Sequence, residues 1–195
     1  RGRGSGALPD SQGHISHPAG AVGRHMRWVA ARGHPIPGVD RSAEALAAMA
    51  DRQTQGQAEL VKADLENAPW PLKRDNALRQ FDAVVVTNYL WRPLMPTLLA
   101  SVARGGVLIY ETFTQGNETV GKPSRPDFLL RPAELLQLCR DLTVVAFEEG
   151  FQDGPQGQSP RFIQRIAAVR EAAATPGLSG SASSTLSPPP RHRLP

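Results

Sequence analysis

Two apolar runs without polar alternation stand out in the middle of the chain. The first covers residues 83–86 and the second covers 107–110, and a segment with helical spacing and a Gly-Gly pair separates them. Strands that are apolar on both faces are typical of parallel sheets that helices cover on both sides. The pattern therefore predicts a β-α-β unit and the α/β fold class.

Weaker patterns extend this unit in both directions. Further strands are predicted at 36–39, 59–63, 142–148 and 161–170. Helical spacing occurs at 24–32, 42–50 and 132–139. Alternating strands and helices that end in a hairpin predict a mostly parallel sheet with one antiparallel strand. Residues 14–18, with the sequence HISHP, have the composition of a poor strand.

The composition changes towards both ends of the 195-residue chain. Residues 1–13 are rich in glycine, arginine and serine, and residues 171–195 are rich in alanine, serine and proline. Such segments bury too little apolar surface to fold, so we expect both to be disordered. The segment between them, 14–170, has the length of one domain with a full core.

The charge distribution and the single cysteine limit the function classes. The net charge of +4 is already reached within the first 32 residues, so the remaining chain is neutral and no nucleic-acid partner is expected. Cys139 alone allows no internal disulfide or cysteine zinc cluster, and the scattered histidines predict no metal site. No apolar run reaches the roughly 18 residues of a membrane span, and no secretory signal is visible. We therefore expect a cytoplasmic protein with a small-molecule substrate.

Two acidic residues follow predicted strands at the points where the strands end. Asp40 comes after 36–39, and Asp64 comes after 59–63. Because ligands bind beyond the carboxyl ends of parallel strands, both carboxylates are expected at one ligand-binding edge. Asp40 can hold the two hydroxyls of a ribose, or it is an acid favoured at a helix N-terminus. Asp64 can accept the adenine amino group, or it is a loop acid.

A glycine-containing turn at residues 19–23, AGAVG, precedes the helix predicted at 24–32. Gly20 and Gly23 permit positive φ angles and a close approach of the backbone to a nucleotide. The turn lacks the G-x-G-x-x-G spacing of a dinucleotide site, which argues against an NAD-dependent oxidoreductase. A flexible segment is the alternative interpretation of the turn.

Polar and aromatic residues follow the apolar run at 83–86. Asn88 and Tyr89 can orient a nucleophile, and the rings of Tyr89 and Trp91 can attract a sulfonium or ammonium cation. The alternative is that both rings pack a helix onto the sheet. Since this cluster ends a central strand, it marks a candidate reaction site.

The order and spacing of these motifs resemble the class I S-adenosylmethionine-dependent methyltransferases, and among them the small bacterial tellurite-resistance-like methyltransferases. The resemblance covers roughly residues 23–170. The matching segments are GVD at 38–40, ADLE at 63–66, PWPL at 69–72, NYLWRP at 88–93, YETF at 110–113 and PDFLL at 126–130. The resemblance implies a Rossmann-like, seven-stranded sheet whose last strand is antiparallel, with S-adenosylmethionine as the cofactor.

The resemblance also assigns residues to the cofactor. They are Gly20, Gly23, Asp40, Asp64, Leu65 and Asn88. Asp40 would take the ribose hydroxyls, Asp64 and Leu65 would flank the adenine, and Asn88 would line the methionine side. The implied function is methyl transfer from sulfur to a small-molecule acceptor, in which the protein supplies positioning and an electrostatic environment.

The acceptor end is predicted from position. Asn88, Tyr89 and Glu111 end the two central strands and are expected to act in the transfer. The polar segment 116–127 follows the second strand directly and is expected to fold over the pocket and exclude water. The residues expected in the acceptor wall are Trp91, Asn117, Glu118, Arg125 and Asp127. The alternative for Arg125 and Asp127 is a surface ion pair that contributes little to stability.

Residues 15–23 depart from the family pattern. The family's first strand is apolar and ends in an acid near a Gly-x-Gly turn, whereas His17 or Pro18 stands at the acid's place here and Ala21 replaces a glycine. The first strand is therefore expected to be degraded. The alternative function is a catalytically impaired, methyltransferase-like binding domain without a working cofactor turn.

Overall fold

The computed structural model of the chain describes residues 14–17, 36–48, 50–56, 58–154 and 159–172. The helix predicted at 24–32 lies outside these residues, as do Gly20 and Gly23 of the predicted cofactor turn. The two segments predicted to be disordered also lie outside them, except for residues 171 and 172.

Seven strands in the described residues pair into one sheet, and two more form a separate hairpin. The strands are β1 (His14–His17), β2 (Ile36–Asp40), β3 (Ala58–Lys62), β4 (Lys73–Arg74), β5 (Ala77–Leu78), β6 (Phe81–Thr87), β7 (Val102–Phe113), β8 (Thr143–Gln152) and β9 (Arg161–Val169). The order in the sheet is β3-β2-β1-β6-β7-β9-β8. The first five of these strands pair in parallel, whereas β9 is antiparallel to both β7 and β8.

Short helices lie between the strands, which confirms the α/β class. They are α1 (Ala43–Ala47), α2 (Ala50–Thr54), α3 (Met95–Ala100) and α4 (Glu134–Leu138), with 3-10 turns at Arg92–Leu94, Asn117–Thr119 and Pro126–Phe128. The hydroxyl of Ser42 caps α1, since it accepts a hydrogen bond from the Ala45 N–H at 3.1 Å. None of the helices in the described part of the chain is long and apolar enough to cross a membrane.

The core lies between one face of the central strands and the helices α3 and α4. Phe81 of β6 and Tyr110 of β7 are fully buried, in one apolar cluster with Met95 of α3 and Leu135 of α4. Because its ring is buried, the Tyr110 hydroxyl needs a partner, and it donates a hydrogen bond to the Tyr89 carbonyl at 2.7 Å. This bond fixes the chain just after β6, where predicted site residues lie.

Residues 14–17, within the segment expected to be a poor strand, form the short paired strand β1. It pairs with β2 through Ser16 and Gly38, and on its other side it pairs with residues 83–86 of β6. Parallel pairing uses backbone hydrogen bonds and needs no apolar side chain from β1. The position between β2 and β6 therefore decides the conformation of this segment, rather than its intrinsic preference.

Strand β7 also differs from its prediction. It begins at Val102, before the Gly-Gly pair, rather than at residue 107. Gly106 allows this course, since a Cβ there would lie 2.9 Å from the Phe81 carbonyl oxygen. Leu108 is fully buried, but its neighbour Ile109 is 45% exposed. The expectation that this strand is covered on both faces is therefore wrong at Ile109.

Two predicted helices differ in extent from the observed ones, and one hairpin is not predicted. The helix predicted at 42–50 is divided into α1 and α2, and β4 and β5 form a hairpin where no strand is predicted. The helix predicted from residue 132 begins only at Glu134, because Ala133 has a left-handed backbone with a φ of 56°. These differences lie outside the central strands and leave the sheet unchanged.

We expect hydrogen exchange to be slowest in the backbone amides of residues 83–86 and 107–110. Strand β6 pairs with β1 and β7, and β7 pairs with β6 and β9, so these amides lie in the centre of the sheet. The largely exposed β4–β5 hairpin is an internal reference that should exchange faster. NMR-detected hydrogen exchange measures both. Equal rates in the two regions would contradict the observed sheet.

Candidate functional site

A cavity of about 650 Å³ opens at the carboxyl edge of the sheet, beyond the ends of β2, β3, β6 and β7. Its lining comprises residues 40–42, 45, 63–66, 88–90, 112, 113, 123 and 128. Residues 123 and 128 belong to the connection between β7 and α4, and the others end or follow strands. Open α/β sheets bind their ligands at this edge, and the volume is typical of small-ligand sites.

A larger cavity of about 890 Å³ runs along α3 and the end of α4 and extends to the opposite edge of the sheet. Gln80 precedes β6, Arg104 lies near the beginning of β7, and Arg170 follows β9, so this cavity is at the amino ends of the parallel strands. None of the predicted site residues that the structure describes lines it. The candidate functional site is therefore the smaller cavity.

Asp40 is the last residue of β2 and is buried at the wall of the smaller cavity, with 4% of its surface exposed. Its Oδ1 accepts a hydrogen bond from the Ser42 N–H at 2.8 Å, and its main-chain carbonyl accepts one from Ala63 at 3.0 Å. Burial raises the pKa of the carboxyl group, although the hydrogen bond from Ser42 opposes the shift. The side chain is therefore a fixed hydrogen-bond acceptor whose charge is poorly solvated.

Asp64 and Leu65 follow β3 and line the same cavity. Asp64 Oδ1 accepts a hydrogen bond from the Glu66 N–H at 3.0 Å, and Oδ2 accepts one from Asn67 Nδ2 at 2.9 Å. The hydrogen bond from Asn67 lowers the pKa of this carboxyl group, so it is ionised at neutral pH. Each oxygen has a second lone pair for a ligand. Leu65 is buried and adds an apolar contact surface.

Asn88 and Tyr89 line the cavity at the end of β6. Asn88 has a left-handed backbone with a φ of 53°, and its N–H donates a hydrogen bond to the Glu111 carbonyl at 2.9 Å. The Tyr89 carbonyl accepts the hydrogen bond from the Tyr110 hydroxyl. Burial and nearby carboxylates raise the pKa of Tyr89. The phenol therefore stays protonated at neutral pH, where it can donate a hydrogen bond but does not act as a base.

Two predicted residues, Glu111 and Trp91, are outside the cavity lining. The Glu111 carboxylate is 3.4 Å from Arg161 and 3.6 Å from Arg165, on the face of β7 opposite to the core. Trp91 packs against the apolar core. Glu111 reaches the site through its main-chain carbonyl, which binds Asn88.

Asn117 and Glu118 stabilise the loop after β7 through hydrogen bonds to backbone groups. Asn117 is buried, donates a hydrogen bond to the Pro123 carbonyl at 3.0 Å and accepts one from the Phe162 N–H at 3.1 Å. Glu118 accepts a hydrogen bond from the Gly116 N–H at 2.8 Å. Neither side chain lines the cavity. Asn117 nevertheless fixes Pro123, which does line it.

Arg125 and Asp127 form a surface ion pair, which is the alternative that the sequence leaves open for these two residues. Their charged atoms are 3.1 Å apart, and 71% and 73% of the two side chains are exposed. The side of the cavity next to β7 and the loop is lined instead by Phe113, Pro123 and Phe128, which the sequence-based prediction does not include. The apolar residues in and next to the polar loop, and not its charged residues, would have predicted this wall of the cavity.

Arg92 anchors the segment that carries Phe128. Its guanidinium forms two hydrogen bonds with the Glu134 carboxylate, at 2.7 and 2.9 Å. It also donates to the carbonyls of Asp127 and Leu129, both at 2.9 Å, on either side of Phe128. Burial alone would raise the pKa of Glu134, but the hydrogen bonds from Arg92 lower it, so the pair is ionised at neutral pH. Arg92 therefore holds Phe128 in the cavity wall.

The two halves of the cavity differ in charge. Among the described lining residues beside β2 and β3, the carboxylates of Asp40, Asp64 and Glu66 are accompanied by one cation, Arg41. These described residues carry an excess of negative charge when all are ionised. Beside β7 and the loop, the described lining residues carry no charge: Thr112, Phe113, Pro123 and Phe128. The first half suits a polar or cationic ligand, and the second suits an apolar group.

Comparison with solved structures finds methyltransferases with this fold. TehB from Haemophilus influenzae has a TM-score of 0.64 at 14% sequence identity, over 83% of this chain and 59% of TehB. An S-adenosylmethionine-dependent methyltransferase from Methanosarcina mazei has a TM-score of 0.59 at 14% identity, over 85% of this chain and 95% of that protein. The glycopeptide N-methyltransferase MtfA, in complex with S-adenosylhomocysteine, has a TM-score of 0.52 at 15% identity, over 82% and 81%. No protein-family profile and no curated protein sequence matches the chain.

These likenesses confirm the resemblance to S-adenosylmethionine-dependent methyltransferases, TehB among them, at the level of the fold. Identities of 14% and 15% extend the similarity to the fold alone, not to individual site residues. The chain spans 59% of the length of TehB. What the chain does is therefore argued from its own cavity, with the fold as support.

Replacement of Arg92 by lysine should lower the free energy of unfolding by about 1–3 kcal/mol, because an ammonium group cannot bind the carboxylate and both carbonyls in the fork geometry of a guanidinium. Arg125→Lys is the matched control. Its ion pair is exposed, so we expect a change below about 0.5 kcal/mol. Urea denaturation measures both variants. Equal stabilities would show that the Arg92 hydrogen bonds do not hold the loop.

Proposed function

We propose that this chain is a methyltransferase that uses S-adenosylmethionine and transfers the methyl group to a small-molecule acceptor. The observation that carries the proposal is the buried carboxylate of Asp40, which lines one cavity together with Asp64, Leu65 and Asn88. The fold shared with methyltransferases supports it. The cavity volume of about 650 Å³ is in the range of small-ligand sites, which favours a small acceptor.

The residues present fit this cofactor. Asp40 has the acceptor chemistry and the fixed position that two ribose hydroxyls require. Leu65 offers an apolar surface for the adenine beside the turn that Asp64 closes. Gly20 and Gly23, which lie outside the described residues, complete the proposed cofactor turn on the strength of the sequence resemblance. The comparisons with solved structures do not favour the alternative of an impaired binding domain.

When bound, the cofactor supplies a methyl group on a sulfonium, so that a lone pair of the acceptor forms the new bond to carbon while the carbon–sulfur electron pair leaves with sulfur. The role of the protein is to hold the cofactor and the acceptor in line. Asn88 directly follows β6, between the charged half of the cavity and the β7 half. Tyr89 lines the same cavity beside Asn88, and we place it next to the acceptor. Glu111 keeps Asn88 in place through its main-chain carbonyl.

The proposal assigns supporting roles to the remaining predicted residues. Asn117 holds Pro123 in the acceptor wall, and Glu118 closes the turn that precedes it. Arg125 and Asp127 neutralise each other on the outer side of the loop. Trp91 packs the end of β6 onto the core. These residues shape the acceptor side without direct contact with the acceptor.

Replacement of Asp40 by asparagine should weaken S-adenosylhomocysteine binding about 10- to 100-fold, since hydrogen bonds to a buried, charged acceptor are worth about 1.5–3 kcal/mol. Isothermal titration calorimetry measures the affinity. Asp82→Asn is the matched control, because Asp82 is exposed near the beginning of β6, at the opposite edge of the sheet. Unchanged binding by the Asp40 variant would remove this residue from the site. Absence of binding by the unmodified chain would overturn the proposed function.

The affinity for S-adenosylhomocysteine should fall as the pH is lowered through the raised pKa of Asp40. The ionised carboxylate accepts the ribose hydroxyls, whereas the protonated form loses part of this capacity. Because burial raises the pKa of Asp40, the loss should begin at a higher pH than for an exposed aspartate. Calorimetric titrations between about pH 4 and 8 test this expectation. A pH step of equal size in Asp40→Asn would assign it to another group.

A further inference from the structure

We infer that the methyl acceptor is a small molecule with an apolar body that is uncharged or positively charged, held between Phe113, Pro123 and Phe128. The inference rests on the proposed function and deepens it. It concerns the half of the cavity that lies beside β7, whose described lining carries no charged side chain.

The sheet order separates this half from the cofactor half. Strands β2 and β7 are three positions apart in the order β2-β1-β6-β7, which corresponds to ~14 Å at the usual spacing of strands. A ribose at Asp40, on β2, therefore leaves the space beside β7 for a second molecule. Asn88 and Tyr89, which directly follow β6, lie between the two.

The wall beside β7 is apolar and fixed in place. Phe113, Pro123 and Phe128 are half-buried, so each retains apolar surface on the cavity side. Asn117 binds the Pro123 carbonyl, and Arg92 binds the carbonyls on either side of Phe128. A wall that is held before the ligand arrives costs little ordering entropy on binding. An apolar group is the ligand part that gains most from this surface.

The charges around the wall disfavour an anion. A buried anion needs a cation or several donors, and the described lining of this half contains neither an arginine nor a lysine. The guanidinium of Arg125 lies 5.2 Å from the centre of the Phe128 ring, but it is exposed and paired with Asp127 at 3.1 Å. Arg41 lies in the other half, among three carboxylates. Aromatic rings attract cations, so a positive charge is tolerated where a negative one is not.

A series of ligands that share one ring tests the inference. Benzyl alcohol, benzylamine and benzoate differ in charge, and glycerol lacks the ring. Saturation-transfer NMR with the full chain, with and without S-adenosylhomocysteine, measures their binding. We expect benzyl alcohol and benzylamine to bind at least tenfold more tightly than benzoate and glycerol. Equal or tighter binding of benzoate or glycerol would overturn the inference.

Variants of the wall show whether the ring binds there. Phe128→Ala should weaken benzyl alcohol binding at least fivefold and leave S-adenosylhomocysteine binding unchanged. Phe128→Leu keeps an apolar side chain and should show a smaller loss, which guards against a folding defect of the alanine variant. Phe151→Ala is the matched control, because the half-exposed Phe151 ring contacts Phe162 and lies outside the cavity lining. Unchanged benzyl alcohol binding in Phe128→Ala and Phe128→Leu would overturn the inference.

The two proposals fail in different ways. If the unmodified chain binds benzyl alcohol through Phe128 but not S-adenosylhomocysteine, the apolar subsite stands and the methyltransferase function fails. If it binds S-adenosylhomocysteine but does not distinguish benzyl alcohol from benzoate, the function stands and the acceptor class is wrong.

Discussion

The hydrogen bond from the buried Tyr110 hydroxyl to the Tyr89 carbonyl, 2.7 Å long, determines the geometry on which the site depends. A phenol inside an apolar core requires a partner, and this carbonyl supplies it. The bond holds the chain after β6 against β7, while the Asn88 N–H binds the Glu111 carbonyl with a left-handed backbone. The positions of Asn88 and Tyr89 in the cavity are therefore consequences of core packing.

The wall of the cavity beside β7 depends on polar side chains that do not line the cavity. The loop after β7 has many backbone groups that need hydrogen bonds. Asn117 and Arg92 satisfy several of them from inside the protein, and Arg92 belongs to the same segment that follows β6. With these polar groups used to hold the loop, the cavity face is left to Pro123 and Phe128. Polar anchors thus produce an apolar wall.

The sequence predicts the site as far as strand ends define it. Asp40 is predictable because the carboxyl ends of parallel strands meet at one edge of the sheet. The same reasoning fails for the side chain of Glu111, which is predicted in the cavity but lies outside its lining. Alternate residues of a strand face opposite sides of the sheet, and the sequence pattern does not show which side holds the cavity. The position of Phe128 cannot be predicted from local sequence patterns. It depends on a contact between Arg92 and Glu134, which are 42 positions apart. Strand β1 likewise depends on its neighbours, not on its composition.

Two largely buried carboxylates differ in how the protein compensates their charge. Glu134 is 12% exposed and is matched by the guanidinium of Arg92, whose hydrogen bonds lower its pKa. Asp40 is more deeply buried and its pKa is raised, because desolvation outweighs the hydrogen bond from Ser42. Above that pKa, the ionised form of Asp40 opposes folding. The hydrogen bond from the Ser42 N–H offsets part of this cost, and a ligand that donates hydrogen bonds to the carboxylate would offset more of it. A buried carboxylate with a raised pKa in a cavity is a candidate for ligand binding, which is the role that the proposed function gives to Asp40.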